Sequence, residues 1–274
     1  MCGTLYVCAT PIGNLSDISD RLRQTLEMVD LVAAEDTRHT GNLLRHLGIS
    51  KPCISYFTHN RRGHGEVIIG ELLAGKNVAL VSDAGTPAIS DPGEELVQLC
   101  AEAGIQTVPI PGPCAAISGL SVSGLITGRF VFEGFLSTQK KGRMDRLKEL
   151  QNETRTIIFY EAPHKLVRTL ADFEDTFGAD RPITLCREMT KLYEEIIRTT
   201  VGEALAKYTE NPPKGEFVLV VAGATPKEES WEDMTVEDHV AMYEKEGLSR
   251  MDAIKRVAAD RGVAKREIYD AVMR

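Results

Sequence analysis

The sequence lacks the features that mark membrane-spanning and secreted proteins. None of its apolar runs approaches the roughly 18 residues that are needed to cross a bilayer. Residues 1–7 carry no basic leader and pass directly into a strand-like run, so we expect no signal peptide. The six cysteines are scattered without a Cys-x-x-Cys pair, which argues against a disulfide framework and against a zinc site. These absences predict a cytoplasmic protein that uses no metal.

Two nucleotide-binding fingerprints are also missing. The chain contains neither Gly-x-Gly-x-x-Gly nor Gly-x-x-x-x-Gly-Lys-Ser/Thr, so no pyrophosphate cradle is evident and a nicotinamide-dependent dehydrogenase is poorly supported. The formal net charge of −8 argues, taken alone, against a nucleic-acid partner.

The charge is unevenly distributed, however. Residues 139–148 hold five bases and one acid, and residues 248–274 hold seven bases and four acids. A further small basic cluster lies at Arg61 and Arg62. Local patches of this kind can bind phosphates on an acidic protein, because salt limits the reach of each charge to about 10 Å. Solvated helix faces are the alternative interpretation of each patch.

The most informative stretch is residues 77–93, Asn-Val-Ala-Leu-Val-Ser-Asp-Ala-Gly-Thr-Pro-Ala-Ile-Ser-Asp-Pro-Gly. Its apolar run at 78–81 predicts a buried strand, and the small residues after Asp83 predict a loop. Pro92 and the acids that follow it predict a helix start. A strand, a small-residue loop and a helix in this order form a ligand crevice in open α/β sheets, although an ordinary structural loop is the alternative.

Strands and helices alternate along the first half of the chain, which predicts a parallel sheet. The predicted strands of this half are 3–9, 31–34, 53–57, 78–81 and 106–110. In the second half, strands are predicted at 130–134, 156–160, 183–187, 193–200 and 216–222. The segments 183–187 and 193–200 follow each other closely, which favours antiparallel pairing and a mixed sheet.

This pattern predicts an α/β fold with two α/β domains and a small helical module at the C-terminal end. The expected boundaries are 1–112 for the first domain, 113–225 for the second and 226–274 for the module. Helices are expected in the module at 236–246, 249–261 and 265–272. The turn Gly262-Val263-Ala264 between the last two is typical of helix-turn-helix units.

Seven segments occur in the order found in one enzyme family. They are 3–15 (Gly-Thr-Leu-Tyr-Val-Cys-Ala-Thr-Pro-Ile-Gly-Asn-Leu), 34–40 (Ala-Glu-Asp-Thr-Arg-His-Thr), 81–93, 111–116 (Pro-Gly-Pro-Cys-Ala-Ala), 159–164 (Phe-Tyr-Glu-Ala-Pro-His), 186–191 (Cys-Arg-Glu-Met-Thr-Lys) and 215–218 (Gly-Glu-Phe-Val). With these segments the chain resembles the tetrapyrrole-methylase-like, or class III, methyltransferases. More narrowly, it is similar to the bacterial branch that methylates the ribose 2′-hydroxyl of a cytidine in 16S rRNA. The chain departs from the family at Cys114, where Ser is usual.

The resemblance implies a homodimer that binds S-adenosylmethionine in a cofactor cleft between the two α/β domains and acts on 16S rRNA or the 30S subunit. It assigns cofactor contacts to Pro11, Gly13, Ser82, Asp83, Ala84, Gly85, Ile89, Ser90, Asp91, Ala115, Tyr160, Val218 and Ala222. Such a donor suits an apolar slot with a few convergent polar groups.

Transfer to a ribose hydroxyl calls for a base, or for a cation that stabilises the developing alkoxide. The candidates follow predicted strands and are Glu35, Asp36, Arg38 and His59. For Asp36 the alternative is a helix N-cap, and for His59 it is an ordinary surface histidine. Arg38 can instead grip a phosphate.

The expected RNA surface consists of basic residues, namely Arg61, Arg62, Lys140, Lys141, Arg143, Arg187, Lys191, Lys265 and Arg266. Two other functions stay open from the sequence. One is a class III methyltransferase of a small molecule such as a tetrapyrrole, for which neither the basic tail nor the segment 34–40 is needed. The other is a non-catalytic RNA-binding assembly factor, which the intact segment 83–91 argues against.

Overall fold

The computed structural model describes residues 2–57, 61–225, 231 and 234–273. The chain divides into two compact units, Met1–Ala224 and Thr225–Arg274. The larger unit contains two five-stranded sheets. The prediction of an α/β fold with a parallel sheet, a mixed sheet and a helical C-terminal module is confirmed.

The first sheet is parallel throughout, as the alternation of strands and helices predicts. Its strands are β1 (Leu5–Cys8), β2 (Leu31–Ala34), β3 (Cys53–Ser55), β4 (Val78–Val81) and β5 (Thr107–Ile110). They lie in the order β3-β2-β4-β1-β5. The helices α1 (Asp20–Met28), α2 (Thr37–Leu47), α3 (Arg61–Leu73) and α4 (Glu94–Glu102) connect the strands. All four residues of β4 are buried, as expected for a central strand that is covered on both faces.

The second sheet is mixed, again as predicted. Its strands are β6 (Phe130–Phe135), β7 (Thr156–Glu161), β8 (Pro182–Arg187), β9 (Glu195–Thr200) and β10 (Phe217–Val221), and its helices are α5 (Ala115–Val122), α6 (Lys140–Leu150), α7 (Pro163–Phe177) and α8 (Val201–Glu210). The order is β6-β7-β10-β8-β9, in which only β6 and β7 run parallel among the described pairs. The expected antiparallel pairing of β8 with β9 is present.

Two helices of the second half escaped prediction. Helix α5 is short and apolar, with a glycine, Gly119, that packs against Val218 of β10. Helix α8 begins with a capping box in which Thr200 and Glu203 exchange hydrogen bonds. The apolar spacing predicts a helix at 66–74. Helix α3 begins five residues earlier, at Arg61, because its first turn is polar and carries no apolar signal.

The smaller unit contains the three helices α9 (Val236–Lys245), α10 (Arg250–Arg261) and α11 (Lys265–Val272). Ser249 caps α10 by accepting a hydrogen bond from the backbone of Asp252. Buried apolar side chains from all three helices form a core of their own, namely Val240, Ala253, Ile254, Val257, Ala258 and Ile268. In the described part of the chain, no helix is both long and apolar enough to cross a membrane.

Candidate active site

A cavity of about 250 Å³ lies within the larger unit. It is bounded by the loops that follow β1 and β4, by the carboxyl end of β7 and by the amino end of β10. The predicted cofactor residues that line it are Ala84, Gly85, Ile89, Ser90, Asp91, Ala115, Tyr160 and Val218. β1 and β4 are neighbours in the parallel sheet, so the cavity opens at the carboxyl ends of adjacent strands.

Backbone hydrogen bonds fix the loop after β4 against the loop after β1. The N–H of Thr10 donates to the carbonyl of Gly85 (2.8 Å), and the N–H of Gly85 donates to the carbonyl of Thr10 (3.1 Å). The hydroxyl of Thr10 also donates to the carbonyl of Ser82 (3.2 Å). The two loops therefore form one wall of the cavity as a unit.

Backbone strain occurs in the cavity walls and in the segments next to them. Among the described residues, positive φ angles at non-glycine positions occur at Ala88 (67°), Ser90 (63°), Glu188 (48°) and Thr190 (65°). Ser90 and Glu188 line the cavity. Such conformations cost of order 1–3 kcal/mol each and cluster at functional sites, so their position supports the assignment of this cavity as the active site.

Aromatic side chains form a second wall. The ring of Tyr160 lies 5.2 Å from that of Phe132 and 5.5 Å from that of Phe135. The backbone N–H of Ala116, at the start of α5, donates to the hydroxyl of Tyr160 (3.1 Å). Burial raises the pKa of Tyr160 to about 12, so this hydroxyl stays neutral.

The carboxylates of Glu35, Asp83 and Asp91 lie close together where β2 and β4 end. The N–H of Asp83 donates to Glu35 (3.3 Å), and the N–H of Asp36 donates to Asp83 (3.1 Å). Burial raises the pKa of Asp91, which lines the cavity, to about 6, and the charges of Glu35 and Asp83 add to the rise. Burial also raises the pKa of Glu35. This end of the cavity therefore favours a positively charged ligand.

None of the catalytic candidates that the structure describes, Glu35, Asp36 and Arg38, belongs to the cavity lining. Asp36 caps α2 by accepting from the backbone of Arg38 (2.8 Å), and it also pairs with the guanidinium of Arg38 (2.8 Å). That pairing lowers the pKa of Asp36 to about 2, which makes it a weak base. Arg38 is exposed. His59 lies outside the described residues.

Of the remaining predicted cofactor residues, Ala222 lies apart from the cavity lining and the others adjoin it. The hydroxyl of Ser82 donates to the carbonyl of the lining residue Ala84 (3.4 Å), and Pro11 directly precedes Ile12 in the cavity wall. Gly13 packs so closely against the stem of Lys191 that a side chain there would collide with it. Ala222 follows β10 at the end opposite to Val218 and pairs there with Pro182.

The predicted RNA-binding residues separate into several groups. Lys140 and Lys141 are exposed in the first turn of α6, and Lys265 and Arg266 are exposed in the first turn of α11. Arg61 and Arg62 belong to the start of α3.

Arg187 and Lys191 are tied to acids beside the cavity. Arg187 contacts Glu195 (3.3 Å) and donates to the carbonyl of Lys214 (2.6 Å). Lys191 lines the cavity and pairs with Glu188 and Glu216, at 2.9 Å each. Lys191 thus lies at the cavity, a position that the sequence reasoning missed although segments 186–191 and 215–218 were both singled out.

The structure corrects the expectation for Arg143. Its side chain is buried, and its Nε donates to Asp172 (2.6 Å) while Nη1 donates to the carbonyls of Ser137 (3.1 Å) and Thr138 (3.3 Å). A guanidinium held in this way inside the protein stabilises the fold and does not reach RNA.

The composition of the cavity fits S-adenosylmethionine. Its walls combine apolar groups such as Ile12, Met189 and Val218 with the carboxylates of Asp91 and Glu188. These are suitable partners for a ligand that has an apolar body, a positively charged sulfur and an ammonium group. In the described part of the chain, no group of three or more His, Cys, Asp or Glu side chains is arranged to hold a metal ion.

The fold and the cavity define a class of methyltransferase. A family model described as Tetrapyrrole (Corrin/Porphyrin) Methylases matches residues 4–205. The fold is similar to that of a solved uroporphyrin-III-C-methyltransferase from Thermus thermophilus, with a TM-score of 0.56 and 20% identity over 80% of this chain and 94% of that one. The chain belongs to the tetrapyrrole methylase family of methyltransferases.

Within this family the chain is similar to proteins that share one name, ribosomal RNA small subunit methyltransferase I. It is 51% identical to the protein from a Synechocystis strain, over 97% of this chain and 96% of that protein. It is 46% identical to the one from Bacillus subtilis (98% and 94%) and 52% identical to the one from Escherichia coli O157:H7 (83% and 80%). The resemblance stated from the sequence is confirmed.

Proposed function

We propose that the protein transfers a methyl group from S-adenosylmethionine to the ribose 2′-hydroxyl of a cytidine in 16S rRNA of the small ribosomal subunit. The observation that carries this proposal is the 51% identity, across nearly the whole of both chains, to a protein named ribosomal RNA small subunit methyltransferase I. The apolar cavity is lined by Asp91, on which the charges of Glu35 and Asp83 also act, and this supports the choice of a cationic cofactor.

When bound, S-adenosylmethionine supplies a methyl group on a positively charged sulfur. Ser90 and Asp91 would contact it from the loop after β4, and Ala115 and Val218 from the second sheet. Asp91 would provide the opposing charge, because a nearby cation favours its ionised form. Positioning of the two reactants supplies much of the acceleration in a displacement of this kind.

The exposed bases would hold the RNA. Arg38, Lys140 and Lys141 have the exposure that phosphate contacts require, and Lys265 and Arg266 add a second set on the smaller unit. Folded rRNA is recognised through its shape, its splayed bases and its phosphates. We further propose that the protein is a cytoplasmic homodimer, as the resemblance implies, which light scattering would test through a mass of twice that of the chain.

The deciding experiment incubates the purified protein with S-adenosylmethionine labelled in the methyl group. Naked 16S rRNA, 30S subunits and a small-molecule extract are offered separately, and the labelled RNA is digested to nucleosides. We expect label in 2′-O-methylcytidine. Label confined to the small-molecule fraction would instead indicate a methyltransferase of small molecules. Binding to 30S subunits without transfer to any substrate would indicate an assembly factor.

A further inference from the structure

Phe135 is an exposed aromatic residue at the mouth of the cavity. It lines the cavity, yet 57% of its surface is accessible to solvent. Its ring is tilted by 58° against that of Tyr160, with the centroids 5.5 Å apart. The two rings therefore form a continuous aromatic wall that leads from the interior of the cavity to its mouth.

An irregularity in the pairing of β6 with β7 turns the ring of Phe135 toward the cavity. Up to Phe132 the strand pairs with β7 in register, with Val131 opposite Ile157 and Phe132 opposite Ile158. The register then shifts between Phe132 and Gly134, so that Phe135 comes to lie opposite Tyr160. Val131 and Phe132 pack into cores on opposite faces of the sheet. Without the shift, strict alternation would place Phe135 on the face of Val131, away from the cavity.

The glycine in this irregularity has a second consequence. Gly134 has a φ of +62°. A side chain on it would come within 2.5 Å of the hydroxyl of Ser90, which belongs to the loop after β4. This irregularity is a β-bulge. It lets the loop after β4 approach β6, and it turns Phe135 toward the mouth of the cavity. Bulges that aim a side chain next to an active site are a recurring feature of sheets.

Positive charge lies close to Phe135 along the chain. Helix α6 begins five residues later with the exposed pair Lys140 and Lys141. Proteins that hold unpaired nucleotides combine basic groups that follow the backbone with aromatic rings on which bases stack. Phe135 at the cavity and the start of α6, five residues further along the chain, supply these two components.

We propose that Phe135 is the platform on which the base of the target nucleotide stacks while its ribose lies at the mouth of the cavity. This inference rests on the proposed function. A ribose hydroxyl in folded rRNA becomes accessible only when its nucleotide leaves the stack, and an aromatic ring replaces the lost stacking. Adenine of the cofactor is the other planar base that the ring can meet. Because Phe135 is exposed, we assign its ring to the target base, which approaches from outside the cavity.

The test compares Phe135→Ala with Phe135→Trp, which keeps a stacking surface, and with Phe130→Ala. Phe130 is the matched control, because it is an exposed phenylalanine at the other end of the same strand and pairs with Thr156 there. Each variant is assayed for methyl transfer to 30S subunits that lack the modification, which gives kcat and KM for the subunit. Calorimetry with S-adenosylhomocysteine, in the absence of RNA, measures the cofactor site independently.

We expect Phe135→Ala to raise KM for the subunit about 5- to 100-fold, the range of base–aromatic stacking, with unchanged binding of S-adenosylhomocysteine. Phe135→Trp should restore KM to within about twofold of the unsubstituted protein, and Phe130→Ala should leave it unchanged. Equal effects of the two alanine variants would overturn the proposal. So would a loss of S-adenosylhomocysteine binding in Phe135→Ala, which would place the ring under the adenine. If the unsubstituted protein transfers no methyl group to rRNA, the proposed function is itself contradicted, and this inference with it.

Discussion

Arg143 and Asp172 form a buried ion pair inside the second half of the larger unit. Their Nε–Oδ2 distance is 2.6 Å, and both side chains are almost inaccessible. We expect Arg143→Met to lower the free energy of unfolding by about 3–5 kcal/mol, because Asp172 would keep a buried charge without a partner. Urea denaturation measures this difference. Lys141→Met on the same helix is the control, with an expected change below about 0.5 kcal/mol. Equal effects of the two substitutions would show that the pair is not structural.

The burial of Arg143 could have been predicted from the sequence. Residues 143, 147 and 150 are the buried positions of α6, and they recur at helical spacing. Leu147 and Leu150 mark that face of the helix, so the spacing predicts that Arg143 is also buried, despite its charge. The exposed positions of Lys140 and Lys141 follow from the same pattern. The sequence alone did not reveal the partner, because Asp172 lies on a different helix, α7.

The stability of the protein should depend on pH through Asp91. Its pKa of about 6 lies above the ordinary value of 3.8 for an aspartate, so the folded state binds this proton more tightly than the unfolded state does. The resulting contribution is present in full below about pH 4 and is lost as the pH rises through about 6. We expect Asp91→Asn to stabilise the protein at pH 8 by about 1–2 kcal/mol, discounted for partial exposure, and to have no effect at pH 4.

Thermal unfolding at the two pH values measures this effect, and Asp145→Asn on the exposed surface of α6 is the control. The same variant provides a second readout. Because Asp91 faces a cavity suited to a cation, its neutralisation should weaken the binding of S-adenosylmethionine more than that of S-adenosylhomocysteine, whose sulfur carries no charge. An unchanged ratio of the two affinities would contradict the proposed role of Asp91 as a counter-charge.

At the scale of secondary-structure elements, the bulge in β6 is the feature with the clearest functional consequence. We expect Gly134→Ala to destabilise the protein by about 1–3 kcal/mol, because alanine is strained at a φ of +62° and its side chain would press on Ser90. The displaced loop should also bind S-adenosylhomocysteine more weakly. Denaturation and calorimetry check the two effects.

The matched control is Gly70→Ala in α3, where nothing lies within 4 Å of the added carbon. Glycine inside a helix is unfavourable, so this substitution should stabilise the protein by about 0.5–1 kcal/mol. A neutral result for Gly134→Ala would mean that the bulge relaxes without cost, and it would remove the bulge from the argument about Phe135.

An element could be predicted from the sequence when its signal lies within its own segment. Strands such as β2 and β4 are short apolar runs between turn residues, and their bounds in the structure equal those predicted. Helix α8 had a usable signal, the Thr-x-x-Glu capping box at its start, which the interpretation did not use. The bulge had none, because a register shift depends on the partner strand β7 and on the approach of Ser90 from another loop.

At the scale of the whole molecule, the sequence predicted the two sheets but not the order of their strands. The alternation of elements fixes a parallel sheet, yet the placement of β4 between β2 and β1 depends on packing between distant segments. That placement brings the loop after β4 beside the loop after β1, which builds the cavity wall. The division at residue 112 between the first two domains stays a prediction.

We expect the two units of the chain to contribute separately to binding. Every residue that lines the cavity lies between Ile12 and Val218, inside Met1–Ala224, and Thr225–Arg274 has a hydrophobic core of its own. We therefore expect a chain that ends at Ala224 to bind S-adenosylhomocysteine within about twofold of the full chain. Calorimetry tests this directly, and a lost affinity would mean that the smaller unit supports the cofactor site.

The same truncation should change how RNA binding responds to salt. Each phosphate contact that is lost reduces the slope of log affinity against log salt concentration by about 0.7–0.9. Lys265→Ala with Arg266→Ala in the full chain should reproduce part of that reduction, whereas Lys140→Ala with Lys141→Ala should give a separate, additive one. An unchanged slope after truncation would show that the basic residues of the smaller unit do not contact RNA. The acidic protein would then rely on the bases of the larger unit alone.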